Sequence, residues 1–294
     1  MSRDPGAASS RQAESLRLAE RMTRELATSH YENFLVASIL LPRKVRQPFY
    51  NVYAYCRTAD DLADESPTPE VALAELDRFQ ICLEEAFAGE PSDPLFLALA
   101  TTIEQFQLSK QPFLDLLDAF RQDQTKHHYA SIDELLDYCR RSANPVGRIV
   151  LQLGDSIDEE NLRYSDLICS GLQLANFWQD VGRDYEMGRI YLPSDQMARF
   201  GVEESMLADK STPRSLRKLL AEECDRAEEM FRKGLPLAGR VVPWLANDIK
   251  LFAHGGLQTL EAIRRVDYDV LRERPKVSKW GQAKLVLRAL ARRL

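Results

Sequence analysis

At 294 residues the chain is long enough for one large helical domain with a sizeable core, and nothing in it demands a second. Its 45 Asp and Glu outnumber 39 Lys and Arg, and the net charge of -6 removes the electrostatic case for general nucleic-acid binding. Five cysteines, Cys56, Cys82, Cys139, Cys169 and Cys224, are scattered without zinc-type or disulfide-framework spacing, which fits a reducing cytoplasm.

Residues 1–10 are small and polar, carry no apolar h-region, and read as a disordered tail without a secretory signal. The longest apolar run, from Phe34 to Leu41, falls far short of the roughly 20 residues a spanning helix requires. After the tail, helical patterns fill about 11–28, 43–66, 69–88, 93–107, 111–127, 131–153, 158–186, 203–208, 213–234, 237–264 and 276–294. Strand-like alternation is nearly absent. Pro42, Pro67, Pro69, Pro91, Pro94, Gly188, Pro193 and Pro275 punctuate the pattern. No repeat recurs at a fixed period, so residues 11–294 are expected to form a single all-α domain whose chemistry lies on inward-facing side chains between helices. His127 and His128 are adjacent, diverge on a helix, and cannot both chelate one ion.

In the second of these segments, Tyr53, Arg57, Asp60 or Asp61, and Asp64 recur every three or four residues and share one helical stripe. Like charges at that spacing repel, yet from Val45 to Asp64 the neighbours are mostly apolar or aromatic. Two carboxylates a turn apart offer hard oxygen ligands, and Mg²⁺ takes one or two carboxylates together with substrate phosphates. A solvated acidic helix end explains this cluster alone equally well.

A second cluster shifts the balance. Asn176, Asp180 and Asp184 fall four apart, and Gln173 extends their stripe by nearly a turn. Leu172, Ala175, Phe177, Trp178 and Val181 occupy the other faces, so this helix is expected to be packed on nearly all sides. Buried acids need partners. Two facing helices, each with Asp at i and i+4, would hold cations and one diphosphate between them. Downstream, Gly188-Arg189-Ile190-Tyr191-Leu192-Pro193 places Arg189 either as a phosphate donor or as an ordinary helix-terminal cation.

These residues resemble the squalene and phytoene synthase family of head-to-head prenyl synthases, over about residues 30–269. The motifs are Tyr55-Cys56-Arg57-Thr58-Ala59-Asp60-Asp61-Leu62-Ala63-Asp64, Asn176-Phe177-Trp178-Gln179-Asp180-Val181-Gly182-Arg183-Asp184, and the Gly188-to-Pro193 run. The resemblance implies an isoprenoid-synthase-type bundle with a central cavity. It makes Asp60, Asp64, Asp180 and Asp184 the magnesium-diphosphate carboxylates, with Asp61 assisting and Asn176 among the metal contacts. Arg57, Gln173 and Arg189 become diphosphate or metal contacts, and Tyr53 lines the cavity beside the ionising carbon, where an aromatic face favours a cation.

Within the family the chain looks most like the hydroxysqualene-forming branch. The discriminating stretches are Tyr31-Glu32-Asn33-Phe34, Tyr138-Cys139-Arg140-Arg141-Ser142-Ala143-Asn144-Pro145-Val146-Gly147-Arg148, and Asn176 to Asp180. This adds Phe34, Arg140, Arg141, Asn144, Gln179 and Tyr191 to the expected substrate contacts. Where condensing relatives read Asn-Ile-Leu-Arg-Asp, Gln179 replaces the Arg, which suits a substrate with one diphosphate, although Arg140 or Arg141 can compensate. Asn144 is a candidate for orienting water and is equally a helix-bending residue before Pro145. The branch implies two or three Mg²⁺ ions, presqualene diphosphate and water as reactants, and neighbours in squalene and hopanoid biosynthesis that handle presqualene diphosphate and hydroxysqualene. It implies no NADPH, and no Gly-rich dinucleotide fingerprint follows a strand. A condensing synthase making presqualene diphosphate, phytoene or dehydrosqualene, and a noncatalytic helical scaffold, are the alternatives.

The last stretch, residues 272–294, is basic, with Trp280, Ala283, Leu287, Leu290 and Leu294 on one helical face. It reads either as a helix docking peripherally on the inner face of an anionic membrane or as a final helix packed on the bundle.

Overall fold

A computed structural model describes residues 5–29 and 41–277. Among these the chain is all-α, with no strand beyond one isolated parallel bridge between His128 and Ile190. No described helix is long and apolar enough to cross a membrane. The chain divides into two compact units, Met1–Thr125 and Lys126–Leu294. Phe34, with the rest of the 31–34 stretch, and the face from Trp280 to Leu294 lie outside the described residues.

The first unit contains α1 (Pro5–Ser29), α2 (Arg43–Asp64), α3 (Pro69–Ala88), α4 (Pro94–Phe106) and α5 (Gln111–Asp123). Helix α1 takes in residues 5–10, which were expected to be a tail. A proline at the first helical position has its φ already set and no N–H to lose, and the strong helix formers Ala7 and Ala8 follow it. Helices α3 and α4 begin at the expected punctuation: the Thr68 hydroxyl accepts from the Val71 amide at 3.4 Å, and the Asp93 carboxylate from the Leu95 amide at 2.8 Å.

Helix α2 packs on the other four. Its fully buried Tyr55 meets Phe79 of α3, Phe96 of α4 and Phe113 of α5 at ring-centroid distances of 5.2, 6.2 and 5.0 Å. The Tyr55 hydroxyl donates to the Phe113 carbonyl at 2.9 Å. One turn earlier, buried Asn51 donates to the Ala98 carbonyl at 2.9 Å and accepts from the Thr23 hydroxyl at 2.7 Å. Breaking either bond would strand a buried polar group, so the rotation of α2 about its own axis is fixed. That rotation aims the acids on its last two turns.

The second unit contains α6 (Ile132–Ser142), α7 (Asn144–Leu153), α8 (Glu159–Glu186), α9 (Ser194–Phe200), α10 (Arg214–Gly234) and α11 (Pro243–Arg265). The long α8 is capped by Asp158, which accepts from the Asn161 amide at 2.7 Å, and packs against α6, α7, α10 and α11. Fully buried Phe231 of α10 is the keystone of three of these helices. A Cβ on Gly171 of α8 would stand 3.2 Å from its ring, and one on Gly256 of α11 would overlap it. Gly256 leaves room for the ring that no side chain there would, and Gly171 keeps the opposite contact free of crowding.

The helix expected over 131–153 is two, broken at Ala143. Pro145 lies in the first turn of α7, where its missing N–H costs nothing, so Asn144-Pro145 starts a helix here and does not merely bend one. Helix α11 begins at Pro243 and not near 237, because Leu235–Gly239 forms a 3-10 turn ahead of that proline.

Candidate active site

The first acidic stripe occupies the C-terminal turns of α2. Asp60 and Asp61 are half-buried and Asp64 is exposed, with half-buried Tyr53 two turns before Asp60. Arg57 relieves the repulsion that the sequence advertises: its Nη1 donates to Asp60 at 3.2 Å and its Nη2 pairs with Asp61. Burial works against the Arg57 charge, but Asp61 and Asp60 outweigh it and raise its pKa. Arg57 Nε is buried without a hydrogen-bond partner among the described residues, so one donor remains for an incoming acceptor. Neighbouring Cys56 is no nucleophile, since burial, then Asp60, push its thiol up to about 12.

The second stripe lies along α8. Leu174, Ala175, Phe177, Trp178 and Val181 are buried in the unit, while Asn176 is exposed and Gln173, Asp180 and Asp184 are half-buried. Burial first, and Asp180 next, raise the Asp184 carboxyl to about 7, against the pull of Arg189, Arg183 and Arg274. Gly188 adopts φ +75°, a conformation that glycine reaches without strain, and the reversal returns the Arg189 amide to the Asp184 carbonyl at 2.8 Å. Arg189 therefore lines a small pocket with Asp184, Val181, Phe177 and Tyr191. Tyr191 stacks on Phe177 at 3.8 Å and 11°, and beyond it lie Tyr129 and Tyr138, at 5.8 and 6.1 Å.

Several candidates have protein partners. Arg140 and Arg141 both bond Asp137, at 3.1 and 3.3 Å. Asn144 is buried and accepts from the Ser170 hydroxyl of α8 at 2.9 Å, an interhelical tie. Gln179 is buried as well, with its amide donating to the Pro275 carbonyl at 2.6 Å and its oxygen accepting from Arg274 at 3.0 Å.

Arg274 is the residue that local spacing did not reveal. Its guanidinium grips Asp180 with Nε on one carboxylate oxygen and Nη2 on the other at 2.9 Å. The two residues lie 94 positions apart, so no helical period connects them. An Arg immediately before Pro275, in the basic stretch that follows α11, was the signal the sequence offered.

No group of three His, Cys, Asp or Glu side chains among the described residues forms a ready metal cage. What each stripe presents is carboxylate oxygen, with an amide oxygen on α8, and this donor set suits a hard cation that completes its shell from a ligand.

A family model for squalene/phytoene synthase matches residues 27–281. The chain belongs to the squalene/phytoene synthase family. Its members act on prenyl diphosphates, and the isoprenoid-synthase-type fold follows. The chain is 44% identical to the crystal structure of squalene synthase HpnC from Alicyclobacillus acidocaldarius, with a TM-score of 0.83 over 86% of this chain and 96% of that one. A dehydrosqualene synthase crystallised with ligand superposes with a TM-score of 0.82 at 26% identity, covering 96% of this chain and 98% of that one. The 15-cis-phytoene synthase of Synechococcus elongatus is 30% identical over 92% of each chain.

Proposed function

We propose that this family member is a Mg²⁺-dependent hydroxysqualene synthase, converting presqualene diphosphate and water into hydroxysqualene and diphosphate without NADPH. The observation that carries the reading is Gln179. Where the condensing pattern has an Arg on the helix itself, this chain has a buried amide bonded at both ends to residues 274 and 275, and the cation at that place, Arg274, is already engaged by Asp180 and so is not offered to a second diphosphate. The 44% identity to squalene synthase HpnC, against 30% to a phytoene synthase, supports a squalene-type over a phytoene-type member of the family.

Asp60 and Asp64 on α2, and Asn176, Asp180 and Asp184 on α8, are the proposed Mg²⁺ contacts. When bound, Mg²⁺ supplies Lewis-acid neutralisation of the departing diphosphate. Arg57 and Arg189 donate hydrogen bonds to its oxygens, and the aromatic face of Tyr53 steadies the cation left when the C–O bond breaks. Rearrangement and addition of water, which loses one proton, complete the reaction. Arg140, Arg141 and Asn144, bonded to Asp137 and Ser170, are the proposed further substrate contacts.

Incubation with Mg²⁺ and no NADPH tests this. Hydroxysqualene from presqualene diphosphate, and no product from farnesyl diphosphate, is expected, and Asp60→Ala or Asp180→Ala should each abolish turnover. The identity to phytoene synthases favours head-to-head condensation as the second reading. A C30 product from farnesyl diphosphate would replace the first reading with it.

A further inference from the structure

The chain after α11 is pinned in two places. Asp267 and Tyr268 take left-handed φ of +53° and +57° and turn the chain back. The Asp269 carboxylate then accepts from the Thr212 amide at 2.7 Å, and the Leu271 amide donates to the Thr212 hydroxyl at 3.1 Å. Leu271 lies against Gly182 of α8, 3.5 Å from where a Cβ would stand. The second pin is Gln179, which holds Pro275 and Arg274 and so sets the guanidinium on both oxygens of Asp180. The Asp180 side chain is 16% exposed, and a cation reaching either oxygen must contend with Arg274.

We propose that Arg274 is a placeholder cation for Asp180, displaced when a divalent metal binds, and that Gln179 is the positioning residue that keeps it there. The placeholder compensates Asp180 while no metal is bound, and residues 271–277 form a strap whose outer pin opens with metal binding. Gln179 thus moves the lost Arg's charge from α8 onto a movable segment. This rests on the proposed metal role of Asp180 but not on which product the enzyme makes.

The test is Mn²⁺ titration of the full chain without substrate, followed by the spin resonance of free Mn²⁺. Arg274→Gln should tighten binding by roughly fivefold, the worth of one partly exposed ion pair. Gln179→Ala should approach the same gain, and the double variant should add little to either, because Gln179 acts through Arg274. Arg183→Gln removes an equal charge from the same helix without touching Asp180, and controls for the general field. Hydrogen exchange across 271–277 should rise in Gln179→Ala without metal and in the wild type on adding Mn²⁺. The placeholder is overturned if Arg274→Gln gains no more than Arg183→Gln, or if no chain binds Mn²⁺. Positioning by Gln179 is overturned if Gln179→Ala leaves affinity and exchange unchanged. Tightened binding in an enzyme that makes no hydroxysqualene would leave the placeholder standing and sink only the product assignment.

Discussion

Asp184 shows how one residue carries both function and cost. Its folded pKa of about 7 lies above its ordinary value of 3.8, so between these values the folded chain holds a proton that the unfolded chain has released. Stability from this group is therefore greatest below pH 4 and falls as pH rises towards 7, where the buried charge is fully imposed. Asp184→Asn should melt higher than wild type at pH 8 without divalent cation, by on the order of 2 kcal/mol, with the difference shrinking steadily towards pH 4. Adding Mg²⁺ and diphosphate should reverse the order, since only the carboxylate gains a ligand. Asp248 on α11 is the contrast. It is 2% exposed, neither carboxylate oxygen has a hydrogen-bond partner among the described residues, and burial alone pushes it to about 7. Asp248→Asn should show the same pH-dependent stabilisation in melts, but a gain that Mg²⁺ and diphosphate leave untouched.

At the scale of elements, the packing of α8 makes the sharpest claim. Phe231 occupies space left by Gly171 and Gly256, so Phe231→Ala opens a cavity at a three-helix junction and should cost about 3–5 kcal/mol in denaturant unfolding. Asn144→Ala loses the Ser170 tie and leaves that hydroxyl without its buried acceptor, at a cost of about 1–2 kcal/mol. If the tie is its whole role, hydroxysqualene remains the sole product, whereas a new elimination product would return Asn144 to the water. Helix α8 was legible almost to the residue, because its cap Asp158, its apolar faces and Gly188 are all local signals. The acidic stripes were legible for the same reason: positions i and i+4 on one helix share a face whatever the tertiary fold. The α6–α7 break was not. A proline in a first turn and one within a helix look alike until the neighbouring helix is known, and Ser170 is 26 positions from Asn144. Arg274 escaped on the same physics, its partners being 94 and 95 residues away.

For the whole molecule, an enzyme and a noncatalytic scaffold of the same fold differ in whether ligand binding is linked to folding. Any ligand held only by the folded chain stabilises it by RT ln(1 + [L]/Kd), about 2.7 kcal/mol at a hundredfold excess over Kd. For a chain of 294 residues that corresponds to a rise in Tm of roughly 5 °C. Neither component alone should give the full shift. Mg²⁺ alone meets carboxylates already engaged, Asp60 and Asp61 by Arg57 and Asp180 by Arg274. Diphosphate alone adds negative charge to two acidic stripes on a protein of net charge -6. Together they neutralise each other and the carboxylates, so the shift should be strongly more than additive. EDTA should abolish it, and Asp60→Ala and Asp180→Ala should each reduce it to the value for Mg²⁺ alone. A synergistic shift that survived both substitutions would mean that the metal and diphosphate bind elsewhere. A complete lack of shift in the wild type would mean that the acidic motifs persist on a scaffold.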